Sequence, residues 1–489
     1  MGFMIREIDT ERTFSSAVTV DALNRAIPPD AITRVIARHG VGEARQRRLT
    51  MVLTIWLVIA LHLYPTVSIG GVLRKLARGL RFIWTDPSIA LPTDSAIAYR
   101  RAQLGARPIV TLFKQVCQPI ATPQTRGAFL FGLRAMAIDG TTEDVPDTPA
   151  NAAAFGRHTS ARGASAFPQV QGVYLVECGT HVVTDAGFWP CHTSERRGGF
   201  RVLRSVRRGM LVMWDCGFHD FDMVVAVRER KAHVLSRLPG GVKPLPLRTL
   251  PDGSVLAYLL PSEDARRRRG ERMLVRVITY TITDPALPGY GEVHRVITTL
   301  LNPRLASAHD VACAYHERWE IEIVIDEIDT HQRLVGRTLR SLTPIGVIQE
   351  LYGVLLAHYA VRVLMHEAAL TVDLDPDRLS FVGALEIVRD AVPEFQMVAA
   401  AQQRMLYERM LHDIATTRLP PRRLRVNARV VKRKMSNFKL KRPEHYQPPK
   451  PAGSFRDAVV IQMPPVLEVP PPQPGRARLE LRQREYVLI

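Results

Sequence analysis

The chain has 489 residues, of which 46% are hydrophobic and 23% charged, and these proportions exclude an unstructured polar protein. Basic residues outnumber acidic ones by 66 to 47, so the formal charge is +19, which favours a polyanionic partner, nucleic acid before an anionic membrane surface. Five scattered cysteines without a C-x-x-C pair argue against a disulfide framework or a structural zinc site, and the length predicts roughly two to four domains.

Residues 1–125 are predicted to form a helical N-terminal module. The segment PPDAITRVIARHG has proline where a helix begins and glycine where it ends. The apolar run MVLTIWLVIALHLY (51–64) is too short to span a membrane and predicts a buried core helix. The first residues lack the apolar stretch of a secretory signal, and we expect a cytoplasmic, nucleoid-associated protein. Arg and Lys at helical spacing suit DNA binding, and a packing domain with a solvated basic face fits them equally well.

From residue 126 the pattern changes to strands, and 126–225 are predicted to be the first part of an α/β core. Two apolar runs, FLFGLRAMAIDG and MLVMWDCGF, each end at an aspartate, Asp139 and Asp215. Ligands collect at the ends of buried strands in α/β sheets, because the strand fixes the backbone while the side chain meets solvent. One such aspartate is often only a cap of the next turn, but the repeated pattern favours a shared site.

The rest of the chain divides into four predicted regions. Residues 226–305 form a β-rich insertion, and 306–418 turn helical again. Residues 419–442 carry ten Lys or Arg and no acid, which suits phosphate contact outside the active site by Lys432, Arg433 and Lys434. Residues 443–489 are Pro-rich and expected to be an extended or disordered tail. The sequence has no G-x-x-x-x-G-K-[ST] loop, so no nucleotide cofactor is expected.

The stretch YHERWEIEIVIDEIDTHQ (315–332) gathers acids in an otherwise basic chain. At about 100° per residue, one continuous helix aligns five polar or aromatic side chains beside an apolar stripe. The aligned side chains are Tyr315, Arg318, Glu322, Asp326 and Asp329. An ordinary solvated helix face is the competing interpretation, although its aromatic residues are not typical of one. Three carboxylates from two strands and a helix suit Mg²⁺ or Mn²⁺, which take oxygen ligands.

Together these motifs resemble the DDE transposases of the insertion-sequence-four (IS4-like) family, whose catalytic core is ribonuclease-H-like. The family signature is Tyr, two residues, Arg, three residues, Glu, six residues, Lys, and Tyr315, Arg318 and Glu322 match its spacing. The segments AIDGT, WDCGF and LRSLTPIGVIQELYGVLLAHYAVR also look like the family. The resemblance covers about residues 20–440 and implies an α/β fold, a ribonuclease-H-like core with a β-rich insertion, preceded by an all-helical N-terminal module.

The resemblance also implies a reaction and the residues that perform it. Asp139, Asp215 and Glu322 would be the catalytic triad and bind Mg²⁺ or Mn²⁺, with two ions expected. Tyr315 and Arg318 would contact DNA phosphates near the transposon end. The enzyme would nick the ends of its insertion sequence and join the 3′ ends to target DNA. It would act as a homodimer on paired ends, without a membrane or a nucleotide cofactor.

One position departs from the signature, because its final Lys falls on Asp329. An anion there repels the phosphate that a cation should hold, and Arg333 or Arg337 are the nearby candidates to replace it. Three functions therefore stay open. The first is an active transposase, the second an inactive or repurposed copy that binds DNA without cleaving it, and the third a metal-dependent nuclease without strand transfer.

Overall fold

The computed structural model describes residues 3–6, 18–45, 47–82, 91–160, 163–333, 336–420, 430–431, 439–440, 442 and 450–464. The chain forms two compact units. Unit 1 contains Met1–Ser236 and Ala314–Arg425, and unit 2 contains Arg237–Cys313 and Val426–Ile489.

The N-terminal part of unit 1 is helical, as predicted. Its helices are α1 (Pro29–Arg38), α2 (Met51–Ala60), α3 (Ile69–Leu76), α4 (Asp94–Leu104) and α5 (Arg107–Val116). Local chemistry sets three of their starts, because Thr50, Ser68 and Thr93 each accept a hydrogen bond from the third residue of the helix that follows. Nine of the ten residues of α2 are buried, so the apolar run of the sequence is a core helix.

A mixed sheet with strand order β3-β2-β1-β4-β5 forms the core of unit 1. The strands are β1 (Leu133–Asp144), β2 (Gln169–Glu177), β3 (Val183–Pro190), β4 (Met210–Trp214) and β5 (His233–Arg237). The first three are antiparallel neighbours, whereas β4 runs parallel to β1 and β5 parallel to β4. Parallel neighbours need a crossover connection, which helices supply on the way to β4 and to β5. This topology confirms the ribonuclease-H-like prediction.

More helices complete unit 1. They are α6 (Pro149–Phe155), α7 (Glu195–Val202), α8 (Phe221–Glu229), α9 (Ala308–His316, its last three residues), α10 (Glu320–Asp326), α11 (Pro344–Thr371), α12 (Phe381–Met397) and α13 (Gln403–Thr416). Helix α11 is apolar on nearly all faces, and 22 of its 28 residues are buried. Among the described residues it is the one helix long and apolar enough to cross a membrane, and 89% of its apolar window is buried inside the protein.

Unit 2 is built on an antiparallel sheet of order β9-β8-β7-β6. The strands are β6 (Leu245–Thr249), β7 (Val255–Leu259), β8 (Met273–Ile282) and β9 (Val293–Thr298). Alternate residues of β8 are buried, because successive side chains of a strand point to opposite faces. The β-rich stretch of unit 2 starts at Arg237 rather than at the predicted residue 226, since β5 pairs with β4 in unit 1.

Part of the predicted Pro-rich tail has regular structure in unit 2. Residues Phe455–Ala458 form a short helix, and β10 (Val459–Ile461) pairs with the end of β8. Ser454 and Asp457 form a capping box that starts this helix. The expectation of an extended or disordered tail is therefore wrong for residues 455–461. The apolar triplet Val-Val-Ile supplies a strand where the flanking prolines indicated none.

Candidate active site

Asp139 and Asp215 lie on neighbouring parallel strands. The register of β1 and β4 joins Ala137 to Met213, and continuing it by two residues places Asp139 beside Asp215. Asp215 directly follows β4, as predicted. Asp139 does not end its strand, because β2 remains paired with β1 as far as Asp144. The pairing of β1 with β4 ends near Asp139. From there on, most residues of β1 are half-buried rather than buried.

The acidic stretch 315–332 is not one continuous α-helix, which corrects the sequence prediction. Helix α9, a 3₁₀ turn at Glu317–Trp319, α10 and a π-helix at Glu327–Gln332 follow one another. Each helix type has its own number of residues per turn, so the predicted single stripe breaks. Arg318 and Glu322 still meet one turn apart, whereas Asp329 lies in the π-helix and bonds elsewhere.

Arg318 joins β1 to α10 in a group that we call the Arg318 cluster, formed by Asp139, Asp215, Arg318 and Glu322. Asp215 belongs to it through its charge, which acts on Asp139 and Arg318. Its Nη1 donates to Oδ2 of Asp139 and its Nη2 to Oε1 of Glu322, both at 3.4 Å. The Arg318 side chain is 8% exposed, compared with 21% for Asp139 and 32% for Glu322. The arginine is therefore the buried centre of the cluster, and the carboxylates are its more accessible rim.

Backbone and aromatic groups orient these side chains. The amides of Gly140 and Gly217 donate to Asp139 and Asp215 respectively, each at 2.8 Å. The Arg318 guanidinium lies 5.3 Å from the ring centroid of Trp319 and 5.9 Å from that of Tyr315, within the range of cation–π attraction. Both aspartates are thus held by the turn or strand that follows them. The arginine is held by aromatic faces.

The Arg318 cluster carries more negative charge than its arginine neutralises. Burial raises the pKa of Asp139 to about 6, opposed by the Gly140 hydrogen bond and by Arg318 and assisted by the charges of Asp215 and Glu322. Burial favours the neutral carboxyl, and neighbouring anions act in the same direction. A cation bound near Asp139 would restore its ionised form.

The donor set suits the divalent cation that the sequence resemblance implies, because all three predicted ligands are carboxylates. They do not converge on one point, however. Within the described part of the chain, the sole group of three or more potential ligands with all donor atoms within 4.8 Å of one another is His181, Glu320 and Asp377. Carboxylates more widely spread fit two ions better than one, since paired ions stand about 3.5–4 Å apart in phosphoryl-transfer sites.

A fourth carboxylate, Glu195, lies beside the Arg318 cluster and is not predicted from the sequence. It begins α7, which approaches the sheet closely because Gly198 and Gly199 have no side chain to collide with the residues beneath. Its Oε1 lies 3.0 Å from where a Cβ on Gly140 would stand. Burial raises the pKa of Glu195, and the charge of Asp215 adds to the rise. In the sequence, an acid at the start of a helix indicates only a favourable interaction with the helix dipole.

A second charged group, which we call the Arg362 cluster, is formed by His181, Glu320, Glu327, His358, Arg362 and Asp377. Arg362 donates from Nε to Oε2 of Glu327 at 3.0 Å and from Nη2 to its Oε1. His358 Nε2 lies 2.9 Å from the same carboxylate. These three side chains are at most 7% exposed. The sequence analysis missed the cluster because its members are far apart along the chain.

The two ring nitrogens of His181 in the Arg362 cluster face groups of opposite charge. Nδ1 of His181 lies 2.7 Å from Nη2 of Arg362. Burial and Arg362 lower the pKa of His181, but Asp377 and Glu320 outweigh them and raise it to about 10, so the ring keeps a proton on Nε2. That atom is 3.0 Å from Oδ1 of Asp377 and 3.4 Å from Oε2 of Glu320. A metal would need the lone pair that this hydrogen occupies. The cluster therefore links α10, α11 and the turn after β2.

The remaining predicted DNA-contacting residues differ in accessibility. The Arg333 side chain is 7% exposed and is paired with Glu143 and Asp329, an arrangement that disfavours the predicted phosphate contact. Arg337 is exposed and remains available. Tyr315 is 7% exposed, with its hydroxyl 3.5 Å from the backbone oxygen of Trp214. The basic residues of the C-terminal segment lie outside the described residues: Lys432, Arg433 and Lys434.

Asp329, which stands at the signature's Lys position, is tied into the protein. Its Oδ1 accepts from Arg333 at 3.1 Å, and its Oδ2 accepts from the Thr141 hydroxyl at 3.5 Å. Burial raises the pKa of Asp329 to about 6, with Thr141 opposing the rise and Asp326 adding to it. The carboxylate is therefore placed to bond Arg333 and strand β1. Unlike the Lys of the signature, Asp329 offers no positive charge to a DNA phosphate.

Two family models match this chain. The family described as insertion element 4 transposase N-terminal matches residues 17–114, and the transposase DDE domain family matches residues 130–360. The first match spans the N-terminal helices. The second spans the sheet of unit 1 and all members of the Arg318 cluster.

Individual relatives give the same result. The transposase InsG for insertion sequence element IS4, from Escherichia coli strain K12, is 28% identical over 84% of this chain and 91% of its own length. The putative transposase InsZ from the same strain is 26% identical over 42% of this chain and 66% of its own. Among solved structures, a piggyBac transposase synaptic complex with hairpin DNA aligns over 82% of this chain and 86% of that chain, with 11% identity and a TM-score of 0.43. The two family matches, in the expected order, and the likeness to InsG over most of the chain show that it belongs to the IS4 family of DDE transposases.

Proposed function

We propose that the protein is an active transposase that nicks the ends of its insertion sequence and joins the 3′ ends to target DNA. The Arg318 cluster is the observation that carries this proposal. It combines two aspartates, placed side by side by the register of two parallel strands, with a glutamate on a helix, and one arginine bonds to Asp139 and Glu322. We assign Asp139, Asp215 and Glu322 as ligands of two Mg²⁺ or Mn²⁺ ions.

The proposed chemistry divides between the ions and the chain. Ions held by Asp139, Asp215 and Glu322 would activate a water or the 3′-hydroxyl of the DNA as nucleophile and would stabilise the leaving oxyanion. Arg318 now occupies carboxylate oxygens of Asp139 and Glu322 that an ion also needs. We propose that assembling the site moves its guanidinium from these carboxylates to a DNA phosphate, which it can hold with two parallel hydrogen bonds. The aromatic face of Trp319 keeps it close to the cluster.

The remaining roles follow the family and the charge of the chain. We assign residues 1–125 to binding of the transposon end and residues 419–442 to additional phosphate contacts. The protein would act in the cytoplasm on nucleoid DNA, as a homodimer that holds two ends. We assign these roles to the domain ranges predicted from the sequence, with the limits of the β-rich region moved to those of unit 2.

One observation favours a second candidate, a copy that binds DNA without cleaving it. Asp329 is an anion where the family signature has a Lys, and its bonds to Arg333 and Thr141 hold it in place. If no other cation replaces that Lys, the substrate phosphate is held less firmly. A nuclease without strand transfer is the third candidate, and no described contact favours it over the first.

Cleavage of a labelled terminal inverted repeat in Mg²⁺ separates these functions. The wild type should nick the end and join it to target DNA, and Asp139→Asn should lower nicking at least about 100-fold, the upper end of losses from outer ligand-shell changes. Asp326→Asn is the matched control, because this acid on the same stretch is 64% exposed. Binding without nicking, with rescue by Asp329→Lys, would establish the inactive copy. Nicking without a joined product would establish the nuclease.

A further inference from the structure

Unit 1 contains a cavity of about 230 Å³ that the proposed catalytic roles leave unused. Its walls come from residues 62 and 65–68, which follow α2, and from residues 333 and 337–340, which precede α11. The polar side chains that line it include His62, Ser68, Arg333, Arg337, Arg340 and Glu350. Because water takes about 30 Å³ per molecule in the liquid, this volume holds several waters or one phosphate group with its ester oxygens.

The lining has a surplus of positive charge. Both oxygens of Glu350 are used locally, one by the Arg340 amide at 2.9 Å and the other by the Ser341 hydroxyl at 2.7 Å. Arg333 is already paired with two carboxylates of unit 1. The surplus therefore comes from Arg337, which is exposed, and from Arg340, whose Nη2 donates to the Leu61 carbonyl at 2.8 Å.

Buried donors at this cavity lack a partner. Nη1 of Arg340 and both ring nitrogens of His62 are buried and meet no hydrogen-bonding group in the described part of the chain. His62 is 2% exposed. Burial lowers the pKa of His62 well below the usual value, and Arg340 and Arg333 lower it further. The backbone of Glu350 opposes them, but it lies outside hydrogen-bond geometry with either ring nitrogen. A neutral imidazole keeps one N–H, and such a buried donor is costly unless something accepts from it.

The start of α3 contributes less than the arginines do. Ser68 caps this helix by accepting from Gly71, and it brings the positive end of the helix dipole to the cavity wall. The Asp94 carboxylate lies against Gly70, so an anion already shares this helix end. The unpartnered donors of His62 and Arg340 are the features that point to a ligand.

Contacts connect this cavity with the strand that carries Asp139. Arg333 lines the cavity and bonds to Asp329, and Asp329 accepts from Thr141, two residues beyond Asp139 on β1. Two successive side-chain contacts therefore connect the cavity lining with β1, two residues from Asp139. In the signature, the missing Lys would have acted in this same region of the acidic stretch.

We infer that the cavity binds a phosphate group, and that this group is a backbone phosphodiester of DNA held at the Arg318 cluster. The donors are the guanidinium groups of Arg337 and Arg340 and the N–H of His62. Arg337 thereby replaces the cation that Asp329 removes from the signature. The choice of DNA as the source of the phosphate rests on the proposed function, whereas the choice of a phosphate rests on the cavity.

The test measures DNA binding in EDTA, so that cleavage plays no part. Binding of a terminal-repeat duplex is followed by fluorescence anisotropy over a range of salt concentrations. Arg337→Ala should weaken binding about tenfold and reduce the slope of log K against log salt by about 1, as the loss of one phosphate contact does. Arg337→Lys should restore the slope. Arg404→Ala is the matched control, since Arg404 is 91% exposed in unit 1 and does not line the cavity.

A second arm locates the phosphate. Duplexes that each carry one neutral methylphosphonate should show, at one position, a loss of affinity in the wild type that disappears in Arg337→Ala, because the two changes remove the same contact. If no position behaves in this way, or if Arg337→Ala keeps the wild-type slope while the wild type binds DNA, the inference is overturned and the proposed function stands.

A third arm tests the phosphate source with inorganic phosphate alone. Phosphate should raise the melting temperature of the wild type more than that of Arg337→Ala, and a complete lack of binding overturns the site. Phosphate binding with an unchanged DNA slope in Arg337→Ala assigns the cavity to a free phosphate and overturns the DNA contact. Failure of the wild type to bind any DNA overturns the proposed function, and the phosphate arm still decides the cavity.

Discussion

Two charged clusters form around the same acidic stretch, each with one arginine at its centre. They differ in how far the ion pairs of that arginine are closed to solvent. In the Arg362 cluster, Glu327 accepts from both Nε and Nη2 of Arg362 and also faces His358, with every partner at most 7% exposed. In the Arg318 cluster, one guanidinium serves two carboxylates at 3.4 Å, and Glu322 is 32% exposed. The first cluster is closed to solvent at its ion pair, whereas the second is open to solvent.

The difference teaches where to look for chemistry among many acids. A buried ion pair links structural elements, and removing one of its partners lowers folding stability. Carboxylates that share too little positive charge are ready to take a cation, and perturbed pKa values such as that of Asp139 mark such places. The count of acids in the sequence does not separate the two cases, because Glu322 and Glu327 lie five residues apart.

The largest expected effect comes from breaking the Arg362 cluster. Arg362→Met should lower the free energy of unfolding of unit 1 by about 3–5 kcal/mol, because it leaves Glu327 buried without its partner. Arg318→Met should cost less, since its carboxylates reach solvent and Asp139 can take up a proton. Urea unfolding followed by tryptophan fluorescence measures both. Equal losses would show that the two clusters do not differ as described, and Glu327→Leu combined with Arg362→Met should recover most of the first loss.

A smaller effect, with a defined pH window, sharpens the account of the open cluster. The folded-state pKa of Asp139 is raised from 3.8 to about 6, so the folded protein keeps a proton that the unfolded chain loses, and stability falls as pH rises between these values. Two pKa units correspond to at most about 3 kcal/mol. In EDTA, Asp139→Asn should therefore be more stable than the wild type above about pH 6, and the two should converge below about pH 4. A stability difference that does not change with pH would contradict the raised pKa.

The smallest expected effect asks whether the open cluster includes Glu195. Its carboxylate packs against Gly140 and interacts with the charge of Asp215, so Glu195→Gln should weaken Mn²⁺ binding up to about tenfold. Electron paramagnetic resonance of free and bound Mn²⁺ measures this without any reaction. Asp326→Asn should leave the affinity unchanged. A wild-type affinity in Glu195→Gln would place this residue outside the cluster.

Much of the candidate site follows from local sequence patterns. Asp139 and Asp215 each end an apolar run, and the spacing of Arg318 and Glu322 is one helical turn, so neighbouring residues alone carry these signals. Glu195 had no such signal. Its approach to Gly140 depends on how closely α7 packs on the sheet. Two glycines permit this close packing, and no periodic pattern in the sequence indicates it.

The change to a π-helix at Glu327–Gln332 also lies beyond sequence patterns. The residues there have the same apolar and acidic spacing as an α-helix, and the choice between the two depends on which partners the side chains find. Glu327 finds Arg362 and His358 of α11, while Asp329 finds Arg333 and Thr141. A pattern of one strand or helix contains no information about such distant partners.

The sequence by itself determined the family, the helical N-terminal module and the ribonuclease-H-like core, because each rests on residues close together in the chain or on motifs in a given order. The tertiary structure alone decided which acids are paired and which are left short of positive charge. It also decided that Arg333 is buried, that Arg337 remains exposed and that an arginine-lined cavity lies beside them. Charge balance depends on distances between elements, and those distances exist only once the chain has folded.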